Sequence, residues 1–444
     1  MALDYVFRID QPHIRGQLAQ VCNAIADADG LIGDIVTINM GRDRSVREIS
    51  VEVSDRSHAP DVASHIEGLE GVHVISYYDR ALNAHEGGKL EITAIEPLET
   101  LQHMRDVYTP GVARVCAAIG EEPALASRFT MIGRTVAICT NGTRVLGLGN
   151  IGPVASMPVM EGKALFYDQM AGISAMPILI DTTDVDEFVE TVVRIAPGFG
   201  GIHLEDIRVP DCFEIERRLK EALEQPVMHD DVHGTGVAVL AGALAACEQV
   251  GVDIESATVG QIGLGAAGFG IAAMMVDGGA KRVLASDPDE RSHERARAAG
   301  IEIATYEEVM SECDLVVATT GITGLIKPED VRPGSVIFAL TNPHPEIEPD
   351  AALAAGAAYA ADGTSVNNVL GFPGIFRGAL AAGASEISTG MKLAAAYAIA
   401  GLTAESELVP DALDPAVHHA VASAVEEAAR TEGLARPERV PAGL

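Results

Sequence analysis

The sequence predicts an α/β protein built on parallel sheets, with a small α+β domain in front of it. Three observations carry this reading. The first stretch, about 80 residues, runs strand–helix–strand–strand–helix–strand, the ferredoxin-like plan. From about residue 90 onward strands alternate with helices, the pattern of parallel strands joined by crossover helices. One glycine-rich turn, Gly263-Leu264-Gly265-Ala266-Ala267-Gly268, opens a helix directly behind an apolar strand.

Taken in order, residues 5–9 read as a strand and 17–28 carry helical periodicity. Residues 34–39 and 46–53 alternate as strands, and a helix at 60–69 and a strand at 72–77 complete the first domain. The polar stretch 83–89 reads as a linker. Beyond it, 136–139, 176–180 and 201–204 read as strands separated by helical stretches, and a second set begins at Thr258. Alanine-rich helices are expected near 352–361 and 393–400. With 444 residues, 48% of them apolar, the chain can build two or three domains with proper cores.

Charge narrows the partners. The 64 acidic residues against 31 basic ones give a net charge of −33. Such a chain lacks the cationic footprint that nucleic acid or an anionic membrane demands. An anionic ligand then needs a local cation or a bound metal to draw it in. The six cysteines, at 22, 116, 139, 212, 247 and 313, form no C-x-x-C pair, which fits reduced thiols rather than a disulfide framework. With no basic-then-apolar signal at the start and no run of about 18 apolar residues, a soluble cytoplasmic protein is expected.

Two glycine stretches share one spacing. Gly263, Gly265 and Gly268 follow the strand 258–262, with Ala266 and Ala267 opening the helix. A second strand, 282–286, ends at Asp287. The glycines permit a tight turn and close approach of a pyrophosphate to helix N–H groups, and an acid at Asp287 suits a ribose 2′-hydroxyl. This predicts a Rossmann-type dinucleotide site. Asp287 favours NAD over NADP, while Arg291, Arg295 and Arg297 close behind it suit a 2′-phosphate, so both cofactors stay open. Gly147-Leu148-Gly149-Asn150-Ile151-Gly152 matches the pattern too, with Asp168 at the right distance. Its acid lies in a helical stretch, however, so this copy reads as a turn at a helix start with Pro153 in the first turn. It places Arg144 and Lys163 near one site.

The carboxylates come in pairs. The strand 201–204 ends in Glu205-Asp206, and Met228-His229-Asp230-Asp231-Val232-His233-Gly234-Thr235-Gly236 repeats that design about 25 residues later. Each pair alone reads as a helix cap or a solvated turn. Two pairs at consecutive strand ends face one crevice, and hard oxygen ligands of this kind suit Mg²⁺ or Mn²⁺. A zinc site at His229 and His233 would need a helix, whereas Gly234 and Gly236 predict a turn. Lys163, among apolar neighbours, reads either as a solvated face or as a base with a lowered pKa. Tyr108, in Tyr108-Thr109-Pro110-Gly111, reads either as core or as an acid.

Through "RIDQPHIRGQLAQV" and "ADADGLIGDI" the first domain resembles the ACT regulatory domain. That implies either a small-molecule or amino-acid effector site or a pairing module. From Tyr108 to about residue 430 the chain resembles the compact bacterial malic enzymes. Seven collinear segments carry the match: "YTPGVARVC", "RVLGLGNIGPVASMPVMEGKALFYDQMAGI", "IHLEDI", "MHDDVHGTGVAVLAG", "QIGLGAAGFGIA", "FALTNPHPEI" and "NNVLGFPGIFRGAL".

The resemblance implies Tyr108 as general acid, Lys163 as general base, and Asp230 as the residue orienting that lysine. It implies Glu205, Asp206 and Asp231 as holders of Mg²⁺ or Mn²⁺. Asn342, Asn367, Asn368 and Arg144 would contact malate, with Asn342 also beside the cofactor. Implied with these are oxidative decarboxylation of (S)-malate to pyruvate and CO₂ with reduction of NAD or NADP, and a homodimer or larger even-numbered assembly. The expected domains are 1–85 (ACT-like), 90–240 (substrate and metal), 241–385 (dinucleotide) and 386–444 (helices packing back on the substrate domain). A malolactic enzyme releasing lactate, and an inactive amino-acid sensor, are the alternative readings.

Overall fold

The computed structural model describes residues 3–145, 147–441 and 443. Leu146, just before the second glycine stretch, lies outside them. The chain divides into two compact units, Met1–Lys89 and Leu90–Leu444.

The first unit runs β1 (Leu3–Pro12), α1 (Gln17–Asp27), β2 (Leu31–Met40), β3 (Arg44–Val53), α2 (His58–Glu67), β4 (His73–Asp79) and α3 (Arg80–His85). Its antiparallel sheet has the order β2-β3-β1-β4, so the expected α+β plan is present. Alternation along β1 turns Tyr5, Phe7 and Ile9 inward against Val21 and Ile25 of α1 and Val62 and Ile66 of α2. The linker starts later than the sequence suggests. Asp79 caps α3 by accepting from the Leu82 N–H at 3.0 Å, which carries helix through His85.

The second unit opens with α4 (Leu101–Val107), α5 (Gly111–Glu121) and α6 (Ala126–Phe129). A βα series follows: β5 (Thr135–Thr140), α7 (Pro153–Ala171), β6 (Ser174–Leu179), α8 (Val185–Ile195), β7 (Gly201–Leu204), α9 (Asp211–Ala222), β8 (Val227–His229) and α10 (Asp230–Val250). These four strands form a parallel sheet in the order β6-β5-β7-β8. The next series is β9 (Thr258–Ile262), α11 (Ala266–Asp277), β10 (Arg282–Ser286), α12 (Glu290–Ala298), β11 (Glu302–Ile303), α13 (Tyr306–Glu312), β12 (Leu315–Ala318), β13 (Val336–Ala339), α14 (Pro349–Ala354) and β14 (Tyr359–Asp362). It makes a six-stranded parallel sheet, β11-β10-β9-β12-β13-β14. The winding reverses between β9 and β12, where a doubly wound sheet opens its ligand crevice. Helices α15 (Phe372–Ala381), α16 (Thr389–Ala400) and α17 (Pro415–Thr431) close the unit.

The expected alanine-rich helix at 352–361 is in fact a helix and a strand. Gly356, at φ +109°, breaks the chain after α14, and β14 then pairs with β13 from Tyr359. A single apolar core joins the two sheets through Met160 and Tyr167 of α7, Leu240 of α10, Ile271 of α11, Phe372 and Phe376 of α15 and Val421 of α17. Where α10 crosses α11 the backbones nearly touch. A Cβ on Gly270 would lie 1.9 Å from the Val232 carbonyl, and one on Gly236 would lie 2.8 Å from the Gly270 carbonyl. Only glycine fits there. The contact ties the acidic start of α10 to the helix behind the glycine-rich loop 263–268. Among the described residues no helix is long and apolar enough to cross a membrane.

Candidate active site

Strands β7 and β8 lie side by side with Leu204 opposite His229. Their carboxyl ends therefore deliver Glu205-Asp206 and Asp230-Asp231 to one place, as the repeat of acidic pairs predicted. Asp206 takes a left-handed backbone, φ +55°. Its N–H donates to Asp231 Oδ2 at 3.0 Å, and its carbonyl accepts from the Arg144 N–H at 3.0 Å. Three chain segments are pinned at one residue. Oxygens of Glu205, Asp206 and Asp231 all lie within 4.8 Å of one another.

Lys163 reaches this cluster from α7. Its Nζ donates to Asp230 Oδ2 at 2.5 Å, lies 3.1 Å from Glu205 Oε1, and stands 4.5 Å over the ring of Phe372. The lysine pKa is raised, not lowered as its apolar flanks suggest. Burial does act to lower it, but the charges of Asp230 and Glu205 outweigh burial and raise it. The carboxyls shift as well. Burial first, then the charges of Glu205 and Asp231, push Asp206 up to about 9. Burial, opposed by Lys163 and reinforced by Asp231, raises Glu205 to about 7. Burial, again opposed by Lys163, raises Asp230 to about 6.

Four carboxyls thus face one ammonium, and Asp206 Oδ2 is buried without a hydrogen-bond partner. Hard oxygen donors, like-charge crowding and an orphaned carboxylate oxygen together fit a divalent cation of the Mg²⁺ or Mn²⁺ type. The cluster opens on the side of Asp231, whose side chain is 31% exposed.

The histidine reading needs one correction. Residues 230–236 are the first turns of α10, not a turn between elements. The two glycines serve close packing instead: a Cβ on Gly234 would lie 1.8 Å from Asp230 Oδ1. His233 still makes no metal ligand, because its Nε2 lies 3.0 Å from Glu216 Oε2 and its Nδ1 3.1 Å from Lys392 Nζ. Sequence reasoning missed Glu216, which also accepts from the His229 N–H at 3.0 Å. It missed His203 and Tyr167 too: His203 lies 2.6 Å from Glu205 Oε2, and Tyr167 Oη lies 2.8 Å from the other ring nitrogen. Spacing offered a signal, since His203 and Glu205 are two apart on a strand and Lys163 and Tyr167 four apart on a helix.

The remaining expected residues lie less tightly. Asn368 comes within 3.5 Å of where a Gly234 Cβ would sit, which puts it beside Asp230. Asn367 turns its side chain back to accept from the Val369 N–H at 2.9 Å. Asn342 follows β13 and donates to the Gly363 carbonyl at 3.1 Å. Arg144 is exposed, joined to the cluster through its backbone. Tyr108, at the end of α4, is 69% exposed and has no side-chain hydrogen bond to the cluster among the described residues.

The glycine-rich loop after β9 makes a tight strand-to-helix turn. Gly263 sits at φ +91°, and a Cβ on Gly268 would lie 2.0 Å from the Gly263 carbonyl, so both need glycine. Gly265 faces open space at the start of α11, next to Ala266 and Ala267. Asp287 Oδ2 accepts from the Leu264 N–H at 2.6 Å. A cavity of about 250 Å³ lies between Gly265, Asp287, Arg291 and Arg295. Two of the three nearby arginines are already engaged. Arg291 pairs with Asp289 at 2.8 Å, and Arg295 lies 3.9 Å over Phe213 and 4.8 Å over Phe269.

The family profile of the malic enzyme N-terminal domain matches residues 87–220, and that of the malic enzyme NAD-binding domain matches 354–432. Between them, 231–325 matches the NAD-binding domain of D-isomer specific 2-hydroxyacid dehydrogenases. The chain is 53% identical over 425 residues to NAD-dependent malic enzyme 1 of Bacillus subtilis (strain 168), covering 95% of this chain and 97% of that protein. The chain belongs to the malic enzyme family. The match to that malic enzyme is long enough to include most of the N-terminal unit. A second relative, the NAD-dependent malic enzyme of Geobacillus stearothermophilus, is 40% identical and covers 96% of this chain and 94% of its own length. Among solved structures, the malic enzyme from Pyrococcus horikoshii Ot3 superposes with a TM-score of 0.76 at 38% identity, covering 80% of this chain and 91% of that one.

Proposed function

We propose that (S)-malate is oxidised and decarboxylated over the cluster of Lys163, Glu205, Asp206, Asp230 and Asp231. The reaction follows from family membership: malate is converted to pyruvate and CO₂ with reduction of NAD(P), and the chain is an NAD-dependent oxidoreductase. The assignment of residues is our own. The single observation that carries it is Lys163 held between Asp230 and Glu205 beside an orphaned Asp206 oxygen.

In this reading Lys163 takes the hydroxyl proton of malate while the C2 hydride leaves for the nicotinamide. Asp230 holds the lysine in line. After CO₂ departs, Tyr108 returns a proton to C3, so the proton removed and the proton added cancel. Glu205, Asp206 and Asp231 would hold the divalent cation. When bound, that cation supplies Lewis-acid polarisation of substrate oxygens and offsets the carboxylate field that keeps Lys163 protonated. Arg144, Asn342, Asn367 and Asn368 would bind the substrate, Arg144 through a carboxylate. Gly263, Gly265, Ala266, Ala267, Gly268 and Asp287 would hold the dinucleotide, with Asn342 beside it. The engagement of Arg291 and Arg295 supports NAD over NADP.

For the domains we infer 1–85 as regulatory, 90–240 as the substrate and metal part, 241–385 as the dinucleotide part and 386–444 as supporting helices. Two facts support an effector and an even-numbered assembly. Gln11 continues the inward face of β1, yet both polar atoms of its buried side chain have no partner, as is true of Gln17 Nε2 on α1. Strand β2 is exposed along its whole length, with Leu31, Ile32, Ile35, Val36, Ile38 and Met40 uncovered. The exposed Tyr108, with Ile92, Ile95, Leu98 and Leu101 before it, suits a tyrosine supplied to a neighbouring subunit.

The test is a malate-dependent assay with Mn²⁺, NAD⁺ and NADP⁺ in which both NADH and pyruvate are quantified, with and without a panel of amino acids. Equal yields of NADH and pyruvate support the reading. Lactate without net NADH would instead assign the malolactic reaction. No turnover at all, with no metal or cofactor binding, would leave the inactive sensor.

A further inference from the structure

We infer that Tyr167 and His203 are positioning residues for the metal centre, a claim that rests on the metal reading above. They commit one oxygen of Glu205 so that its other oxygen stays aimed at Lys163 and the cation.

The four residues form a closed circuit. Lys163 and Tyr167 are one turn apart on α7, and His203 on β7 precedes Glu205, just past the strand's end, by two residues. One rung joins Lys163 Nζ to Glu205 Oε1 at 3.1 Å. The other joins Tyr167 Oη to His203 Nδ1 at 2.8 Å, and His203 Nε2 closes the circuit on Glu205 Oε2 at 2.6 Å. With Glu205 ionised, as a metal ligand has to be, its Oε2 can only accept, and Nε2 then carries the hydrogen. The two oxygens of Glu205 therefore have separate partners.

Packing fixes the direction of that donor. The His203 ring stacks on Phe376 at 5.8 Å and 25°, and meets Phe372 edge-on at 5.5 Å. Tyr167 meets the same two rings edge-on at 5.7 Å and 5.1 Å. Both His203 and Tyr167 are fully buried, so water does not compete for these bonds. Without the donor, Glu205 would turn to relieve its repulsion from Asp206 and Asp231, and the cluster would lose its preset shape. Partners that orient a ligand in this way change metal affinity about 10- to 100-fold when removed.

The experiment titrates metal-free protein with Mn²⁺ by calorimetry and, in parallel, with NADH by fluorescence. His203→Leu should weaken Mn²⁺ binding by about 10- to 100-fold. His203→Gln, which keeps an N–H donor, should recover most of that loss. Tyr167→Phe removes one buried oxygen and should weaken Mn²⁺ binding by up to about tenfold. It carries the test alone if the leucine variant does not fold. NADH affinity should stay at the parental value throughout. Parental Mn²⁺ affinity in both His203→Leu and Tyr167→Phe overturns the inference, as does an equal loss of Mn²⁺ and NADH affinity, which marks general damage. A parent protein that binds no Mn²⁺, or an Asp231→Ala variant that binds it as the parent does, overturns the metal reading itself and this inference with it.

Discussion

One missing carbon atom is worth a large share of the activity. Gly234 follows Asp230 by one turn of α10, and a Cβ there would lie 1.8 Å from Asp230 Oδ1 and 2.8 Å from its carboxyl carbon. In Gly234→Ala the carboxylate has to retreat by about 1 Å, and it is the group that holds Lys163 through a 2.5 Å bond. A shift of that size at a reacting centre costs about 100-fold in rate, or about 2.7 kcal/mol of transition-state stabilisation. Stability should move less. Alanine gains about 1 kcal/mol of helix propensity over glycine, against overpacking strain of about 1–3 kcal/mol. Gly242→Ala on the same helix is the control, since its Cβ would meet nothing closer than Leu408 at 3.4 Å. The assay is the initial rate of NADH formation at saturating malate, NAD⁺ and Mn²⁺, read beside the melting temperature. A Gly234→Ala protein with kcat within about threefold of the parent would refute the claim that the Asp230–Lys163 geometry carries the rate.

Other outcomes follow from the same geometry. Tyr108→Phe should spare oxaloacetate formation while pyruvate production falls at least about 100-fold; equal loss in both partial reactions contradicts an acid role. Asp231→Ala should abolish Mn²⁺ binding and activity together, and calorimetry showing parental Mn²⁺ affinity contradicts its place among the ligands. Lys392 makes a pH prediction. Burial first, and then Lys220, push its pKa down to about 8 from an ordinary 10.5. Between these values the unfolded chain holds a proton that the folded chain has released, so stability rises with pH across that window. Lys392→Met should lose this rise, a difference on the order of 3 kcal/mol between pH 7 and 10.5. Denaturation curves that change in parallel with pH for both proteins would contradict it.

What the sequence made legible was what local pattern controls. Alternation located β2 and β3 and short apolar runs located most of the parallel strands, and the glycine spacing located a tight strand-to-helix turn at 263–268. The repeat of acidic pairs after two apolar strands located the cluster, because adjacent parallel strands end at the same level. What stayed hidden depended on neighbours far along the chain. Gly234 and Gly236 look like turn residues alone; in the helix they serve close packing, Gly236 against α11 and Gly234 against the Asp230 carboxylate and Asn368. The charge state of Lys163 depends on Asp230, 67 positions away, so apolar flanks gave the wrong direction. Tyr167 and Glu216 look like ordinary helix residues until the strands beside them bring His203 and His229 within reach.

The measurement that bears most directly on the central claim is turnover of malate by Lys163→Ala, in a protein shown to bind Mn²⁺ and NADH. The cluster geometry predicts that neither NADH nor pyruvate forms, while both ligands still bind. Undiminished production of NADH and pyruvate would contradict it, and would move the base to a residue outside the Asp230–Glu205 clamp.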